Sequence, residues 1–335
     1  MKFWFTLFIV WQLFAPFHSV AQELFTGTPS KDWIEVSATA SVVIEKGKPV
    51  DRAALAEQAR QMAIEQKLGS SISFGGAVKS FSDKLEQYDR LVELNNYFVD
   101  GVWKADISQP EFSLESASLT KERRRGTKEV EADRWCCRVH GYAAPLLCVA
   151  PAFEYQIMNG DNRVIIERIS GKKGSASNQI FKQGDLFRLR FRASRGGYLA
   201  LYMDNSEVAQ RMLPYAAASS GDESVKISAD IWHPFFDVEA VSAQERQVVD
   251  ELELVTDMGL DCIRIYFIFS STPFSKDFFF LSDVHPATCG ELPEGYNRLP
   301  SVDSRSFARW LQQNRIRKPD LQIAIADIVI DNSKK

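Results

Sequence analysis

The sequence predicts an α+β protein: a helix-on-antiparallel-sheet unit followed by a β-sandwich-like unit with one C-terminal helix. Three observations predict it. Residues Ile34 to Ile44 alternate apolar and polar, and a helix with a small apolar face follows them. From about residue 150 onward the signals are nearly all strand. Between the halves, Pro145 and Pro151 bracket a short apolar connector. The expected division is a signal peptide over 1–21, an α+β unit over 22–148 and a β-rich unit over 149–335.

The first segment reads as an export signal. Lys2 precedes an apolar run from Phe3 to Phe17, and Ser19-Val20-Ala21 places small residues where a signal peptidase reads them. That run is shorter than the ~20 residues a membrane-crossing helix needs. Cleavage after Ala21 is therefore expected, leaving no transmembrane anchor and a mature chain that begins at Gln22 in the periplasm or outside the cell. Gln22 is not the cysteine that a lipid anchor requires.

Composition is that of an ordinary globular protein, with 45% hydrophobic and 25% charged residues. The net charge is -4 and becomes slightly more negative on loss of Lys2, which argues against nucleic acid as a partner. One run, Lys121 to Lys128, is basic and reads as a solvated hairpin tip, with a patch for anionic lipid or polymer as its other reading.

In the first unit, Ile34, Val36, Ala38, Ala40, Val42 and Ile44 define one face of a half-buried strand. Lys46-Gly47-Lys48-Pro49 turns the chain, and Asp51 caps a helix that runs to Leu68 and ends at Gly69. A second amphipathic stretch carries Leu85, Tyr88, Leu91 and Val92. Three strands are then expected: Val99 to Ile107, Phe112 to Leu119 and Val130 to Tyr142, the last two flanking the basic turn.

In the second unit, Phe187, Leu189, Phe191 and Ala193 alternate with Arg188, Arg190 and Arg192, a strand with one cationic, wet face. Gly196-Gly197 leads into the apolar run Tyr198 to Met203. Ile263 to Phe269 and Leu321 to Ile330 supply further strands, and Asp303 or Ser304 caps a helix marked by Phe307, Trp310 and Leu311.

Five cysteines leave at least one unpaired. Cys136 and Cys137 are adjacent in a strand and should face opposite sides. Cys262 and Cys289 could pair across a loop, although spacing alone leaves the connectivity open. Cys137 and His140 have a zinc-like gap with no second pair to complete it, so no metal is expected.

Both halves resemble known families. Asp51-Arg52-Ala53-Ala54-Leu55-Ala56-Glu57-Gln58-Ala59-Arg60-Gln61-Met62-Ala63 after a strand, with Gly101-Val102-Trp103 and Trp135 to Tyr142, resembles the small domains of LPP-type lipoproteins and of the N-terminus of the flagellar H-ring assembly protein. That likeness covers about 33–145 and implies a periplasmic assembly or interaction module with no catalytic residues. Phe181-Lys182-Gln183-Gly184-Asp185, Gly197 to Tyr202, Met212-Leu213-Pro214-Tyr215, Val225 to Ser228 and Cys262 to Phe274 resemble the bacterial domain of unknown function 4384, over about 178–275. The chain departs from that pattern at Ile231-Trp232-His233-Pro234-Phe235-Phe236, where a glycine-rich turn is expected.

No catalytic motif stands out. His233 and His285 each precede proline and read as loop residues. Gly171-Lys172-Lys173-Gly174-Ser175 does not have phosphate-loop spacing and reads as a loop. Trp232, Phe235 and Phe236, and separately Phe278 to Phe280, either close the ends of the sandwich or form an interaction surface; the first three are the candidate binding residues. The sequence thus predicts a non-enzymatic binding or assembly module of the cell envelope, taking a protein or glycan and no cofactor. The alternative is an envelope hydrolase whose acid–base pair forms only on folding.

Overall fold

A computed structural model describes residues 24–70, 86–95, 97–123, 126–146, 151–169, 180–215, 224–244, 246, 248–274 and 301–332. The export segment with Ala21, the 171–175 loop, Phe278 to Phe280, His285, Cys148 and Cys289 lie outside the described residues, so the Cys262–Cys289 pairing does too.

The alternating segment forms β1 (Ile34–Glu45), with Val36, Ala38 and Ala40 buried. It pairs antiparallel with β3 (Gly126–Pro145), which pairs in turn with β2 (Gly101–Arg123), giving the order β1-β3-β2. Where two strands were expected between Val99 and Leu119, β2 is one long strand. Register shifts at Trp103/Ala105, Asp106/Ser108 and Ser108/Glu111 break its alternation and carry it past Pro110. The ladder closes at Arg123↔Gly126, so the basic run does span a hairpin turn.

Helix α1 (Arg52–Leu68) lies across this sheet. Asp51 accepts from the Ala54 N–H at 3.0 Å, and Gly69 closes the helix at φ 76, a left-handed value that costs glycine little. Ala59 and Ala63 are fully buried, so the helix backbone comes close to the sheet. Arg60 reaches the buried Asp106 at 2.8 Å, and the Trp103 indole donates to the same carboxylate at 3.1 Å.

The second unit is a three-layer stack. Its central sheet has the order β14-β9-β8-β13-β15-β6, with β10 also on β8. These are β6 (Ile180–Lys182), β8 (Gly197–Asp204), β9 (Val208–Leu213), β10 (Val225–Ile227), β13 (Leu260–Ser270), β14 (Ser301–Asp303) and β15 (Gln322–Asp331). One face packs on a five-stranded sheet of β4 (Phe153–Met158), β5 (Val164–Arg168), β7 (Leu186–Ala193), β11 (His233–Phe235) and β12 (Leu252–Glu253). The core between them is aromatic, with Phe153, Phe187, Phe191 and Phe267 all buried and Tyr155 stacked on Phe267 at 4.1 Å. The other face is covered by α2 (Glu86–Asn95) and α3 (Ser304–Arg317). Burial on both faces explains why β13 and β15 read as continuous apolar runs rather than alternating ones. Asp303 caps α3, accepting from the Ser306 N–H at 2.9 Å.

Helix α2 does not pack where the division at residue 148 places it. Leu91, Leu94 and Phe98 join Tyr266, Phe307 and Leu311 in the core of the second unit. Its apolar stripe is matched by the helix-facing side of the central sheet, whereas α1 already fills the face of the small sheet. Polar contacts fasten the same segment: Arg315 to Asp100 at 2.8 Å, and the Gln312 amide to the Val99 carbonyl at 2.9 Å. No helix among the described residues is long and apolar enough to cross a membrane.

Candidate functional site

The predicted aromatic site divides. Phe235 (6% exposed) and Phe236 (3%) belong to the core, which corrects their assignment as binding residues. Phe235 is held in β11 beside Leu189. Phe236 packs edge-on against Phe187 and Tyr215, and its N–H donates to the Tyr215 hydroxyl at 2.8 Å. The backbone at Phe236 takes φ 58, a conformation a bulky residue adopts only when packing dictates it. Trp232 is half-buried under the Arg192 guanidinium, 4.8 Å from its ring, and Arg192 is itself held by Glu154. One face of the indole is thereby occupied.

The described histidines have hydrogen-bond partners, and the described cysteines are free thiols placed by strand geometry. The Ser228 N–H donates to His233 Nε2 at 3.1 Å, pinning the loop before β11. Cys137 is buried in the first core while Cys136 is half-buried, as adjacent strand positions require. His140, three residues from Cys137, lies on the opposite face of β3, so that spacing does not make a ligand pair. Burial pushes the Cys137 thiol up, and pushes Cys262 up to about 12. Among the described residues, no group of three or more His, Cys, Asp or Glu side chains is gathered for a metal.

A buried charged row crosses the central sheet. Arg264 of β13 stands opposite Asp204 of β8 on one side and Asp327 of β15 on the other, all at most 1% exposed. Arg264 Nε and Nη2 donate to the Asp327 carboxylate at 2.7 and 3.0 Å, a two-bond fork. Its Nη1 donates to the Leu91 carbonyl and to Asn95 Oδ1, both at 2.7 Å, so the row also fastens α2. Burial disfavours the Arg264 charge, yet Asp327 prevails and raises its pKa. Asp204 accepts from Ser304 Oγ at 2.5 Å and from the Ser206 N–H at 2.8 Å, and burial raises its carboxyl above the usual range. The row is roofed by α2 and α3, so it orders the fold and presents nothing to a substrate.

A groove of about 610 Å³ opens between the two units. Its near wall comes from the end of β1 (Val42, Ile44), the turn at Pro49 and Val50, and α1 (Leu55, Gln58, Gln61). Its far wall is α3, through Arg305 and Arg309, and its floor is α2, through Glu93 and Leu94, with Tyr97 just beyond the helix end. Arg309 lies 5.7 Å from the Tyr97 ring, and Arg90 at the rim is paired with Glu207 at 2.9 Å. An apolar strip bordered by charges of both signs suits the side chains of a polypeptide.

A second, smaller pocket of about 360 Å³ lies on the outer face of the small sheet, lined by Ser37, Ser108, Glu111, Arg138, Val139 and His140. There His140 Nε2 is 2.6 Å from Glu35, and the register sets Ser37 and Ser108 opposite His140 from either side.

No protein-family model, curated protein or solved structure matches the chain. The site reading therefore rests on geometry alone. The groove was not foreseen from the sequence, because its walls come from segments as far apart as Val42 and Arg309.

Proposed function

We propose that this protein is an exported, non-enzymatic binding or assembly module of the bacterial cell envelope, and that its partner is a protein held in the groove between α1 and α3. The observation that carries this reading is the contrast between two sites. The most deeply buried charges among the described residues, Arg264 with its two aspartates, are sealed under helices, whereas the groove of about 610 Å³ has apolar and charged walls. Buried titratable groups in reach of solvent would favour chemistry; a groove of mixed lining favours recognition. The signal-like N-terminus and the resemblance of 33–145 to envelope assembly domains support the location.

The test is a photo-cross-linking residue at Gln58, in the groove, compared with one at Glu167, on the five-stranded sheet, both exposed to envelope extract. The reading expects a discrete adduct from position 58 and none from 167. Equal labelling from both, or an adduct from 167 alone, contradicts it.

The Glu35–His140 pair beside Ser37 and Ser108 favours a second reading, an envelope hydrolase. A carboxylate-oriented histidine next to a hydroxyl is the arrangement that activates a serine. Purified protein that hydrolyses an activated ester, with the activity lost in both Ser37→Ala and His140→Ala, would favour that reading over the first.

A further inference from the structure

We infer that the groove takes an extended acidic peptide that adds as a strand to the free edge of β1, with its carboxylates answered by Arg305 and Arg309. This rests on the binding reading above and names the chemistry of the partner. The order β1-β3-β2 leaves β1 with a strand neighbour on one side only among the described residues. In an antiparallel ladder about half of an edge strand's N–H and C=O groups point away from its neighbour. Edge strands are ordinarily blunted by proline, lysine or a charge pointing inward. From Val36 to Ile44 this strand has no charged residue and no proline, only Val, Ala, Ile, Ser and Thr. It is therefore a competent template for a further strand, and its last turn of sequence, Val42 and Ile44, borders the groove.

The charges in the groove fix which peptide fits. Asp51 is engaged in capping α1, Glu57 is 3.6 Å from Arg60, and Arg90 is paired with Glu207. Arg305 and Arg309 remain, exposed and one helical turn apart, with no carboxylate within ion-pair distance among the described residues; Glu93 on the floor is the acidic group left over. Two like charges at this spacing weaken their own helix, so stability does not account for them. Arginine forks that share the groove lining with the end of an edge strand match carboxylates that alternate along an extended chain.

The probe is a capped, fluorescent octapeptide alternating valine and glutamate, followed by anisotropy against the mature chain. Saturable binding is expected, weakened roughly tenfold or more when lysine replaces glutamate. Two further versions carry N-methyl groups on one or the other alternate set of amides. Strand addition uses one edge of the peptide, so one version should lose binding and the other keep it. Arg305→Glu with Arg309→Glu should weaken the glutamate peptide and strengthen the lysine peptide; Arg305→Gln with Arg309→Gln serves if the reversal disturbs α3, with unchanged thermal midpoint as the check. Absence of saturable binding, equal binding of both N-methylated peptides, or indifference to the arginine changes overturns the inference. If the cross-link from position 58 persists and excess peptide does not compete with it, only the acidic-strand inference fails; if no cross-link forms, the groove reading itself fails.

Discussion

Replacing Arg264 with methionine should be among the most damaging single changes in the protein. Methionine fills much of the same volume, so the effect reports charge and hydrogen bonds rather than a cavity. The substitution leaves Asp327 buried at 1% exposure without its counter-ion and strips the Leu91 carbonyl and Asn95 of a donor. Breaking one half of a buried ion pair costs about 3–5 kcal/mol, because the surviving charge stays desolvated. Removing both charges together, as in Arg264→Met with Asp327→Leu, should return about 2 kcal/mol or more of that loss, since the pair's own desolvation disappears with it. Urea unfolding followed by tryptophan fluorescence measures both. The released α2 carbonyl and amide add a second signature, faster hydrogen exchange across 86–95. A loss below about 1 kcal/mol for the single variant, or a double variant worse than the sum of its parts, would refute the view that this row is a coupled and sealed network.

Other outcomes follow from the same geometry. Phe236→Ala should cost about 3–5 kcal/mol on the same assay, whereas Trp232→Ala, at a half-buried site, should cost clearly less. Tyr215→Phe removes the acceptor for the buried Phe236 N–H and should cost about 1–3 kcal/mol, with little change in packing. Because burial raises the Asp204 carboxyl, the folded chain holds that proton more tightly than the unfolded chain does. Its contribution to stability is present in acid and is lost as pH rises from the ordinary aspartate value through the raised one; Asp204→Asn should flatten that part of the pH–stability profile. Native protein treated with a thiol reagent should modify Cys136 well before Cys137 or Cys262, whose thiols are buried and raised in pKa, as peptide mapping of the labelled sites would show.

Where one physical rule acts alone, the sequence could be read directly. The period-two pattern of β1, the Asp51 and Asp303 caps and the Gly69 stop were all legible, because each depends on neighbours within a few residues. The long β2 was not, since its bulges and Pro110 interrupt the very alternation that signals a strand. The Trp232 to Phe236 segment carried the opposite difficulty. Aromatic residues around a His-Pro look like a surface loop, yet Phe187 and Tyr215, distant in sequence, draw Phe236 inward and override its backbone preference. A usable signal for the buried row was present: Arg264 and Asp327 are opposite charges in the middle of two apolar strands whose other charges, Asp261 and Asp331, stand at or next to a strand end. The groove had no such signal, because α2 leaves the unit it begins beside and docks on the other.

The central claim, that partners are held between β1 and α3, is tested most directly by hydrogen–deuterium exchange of the protein with and without the envelope fraction that yields the cross-link at position 58. The account predicts slowed exchange concentrated in β1, residues 42–58 and the first half of α3, with the five-stranded sheet unchanged. Protection centred on β7 and Trp232, with β1 and α3 exchanging as in the free protein, would place the partner on the other face of the molecule and contradict it.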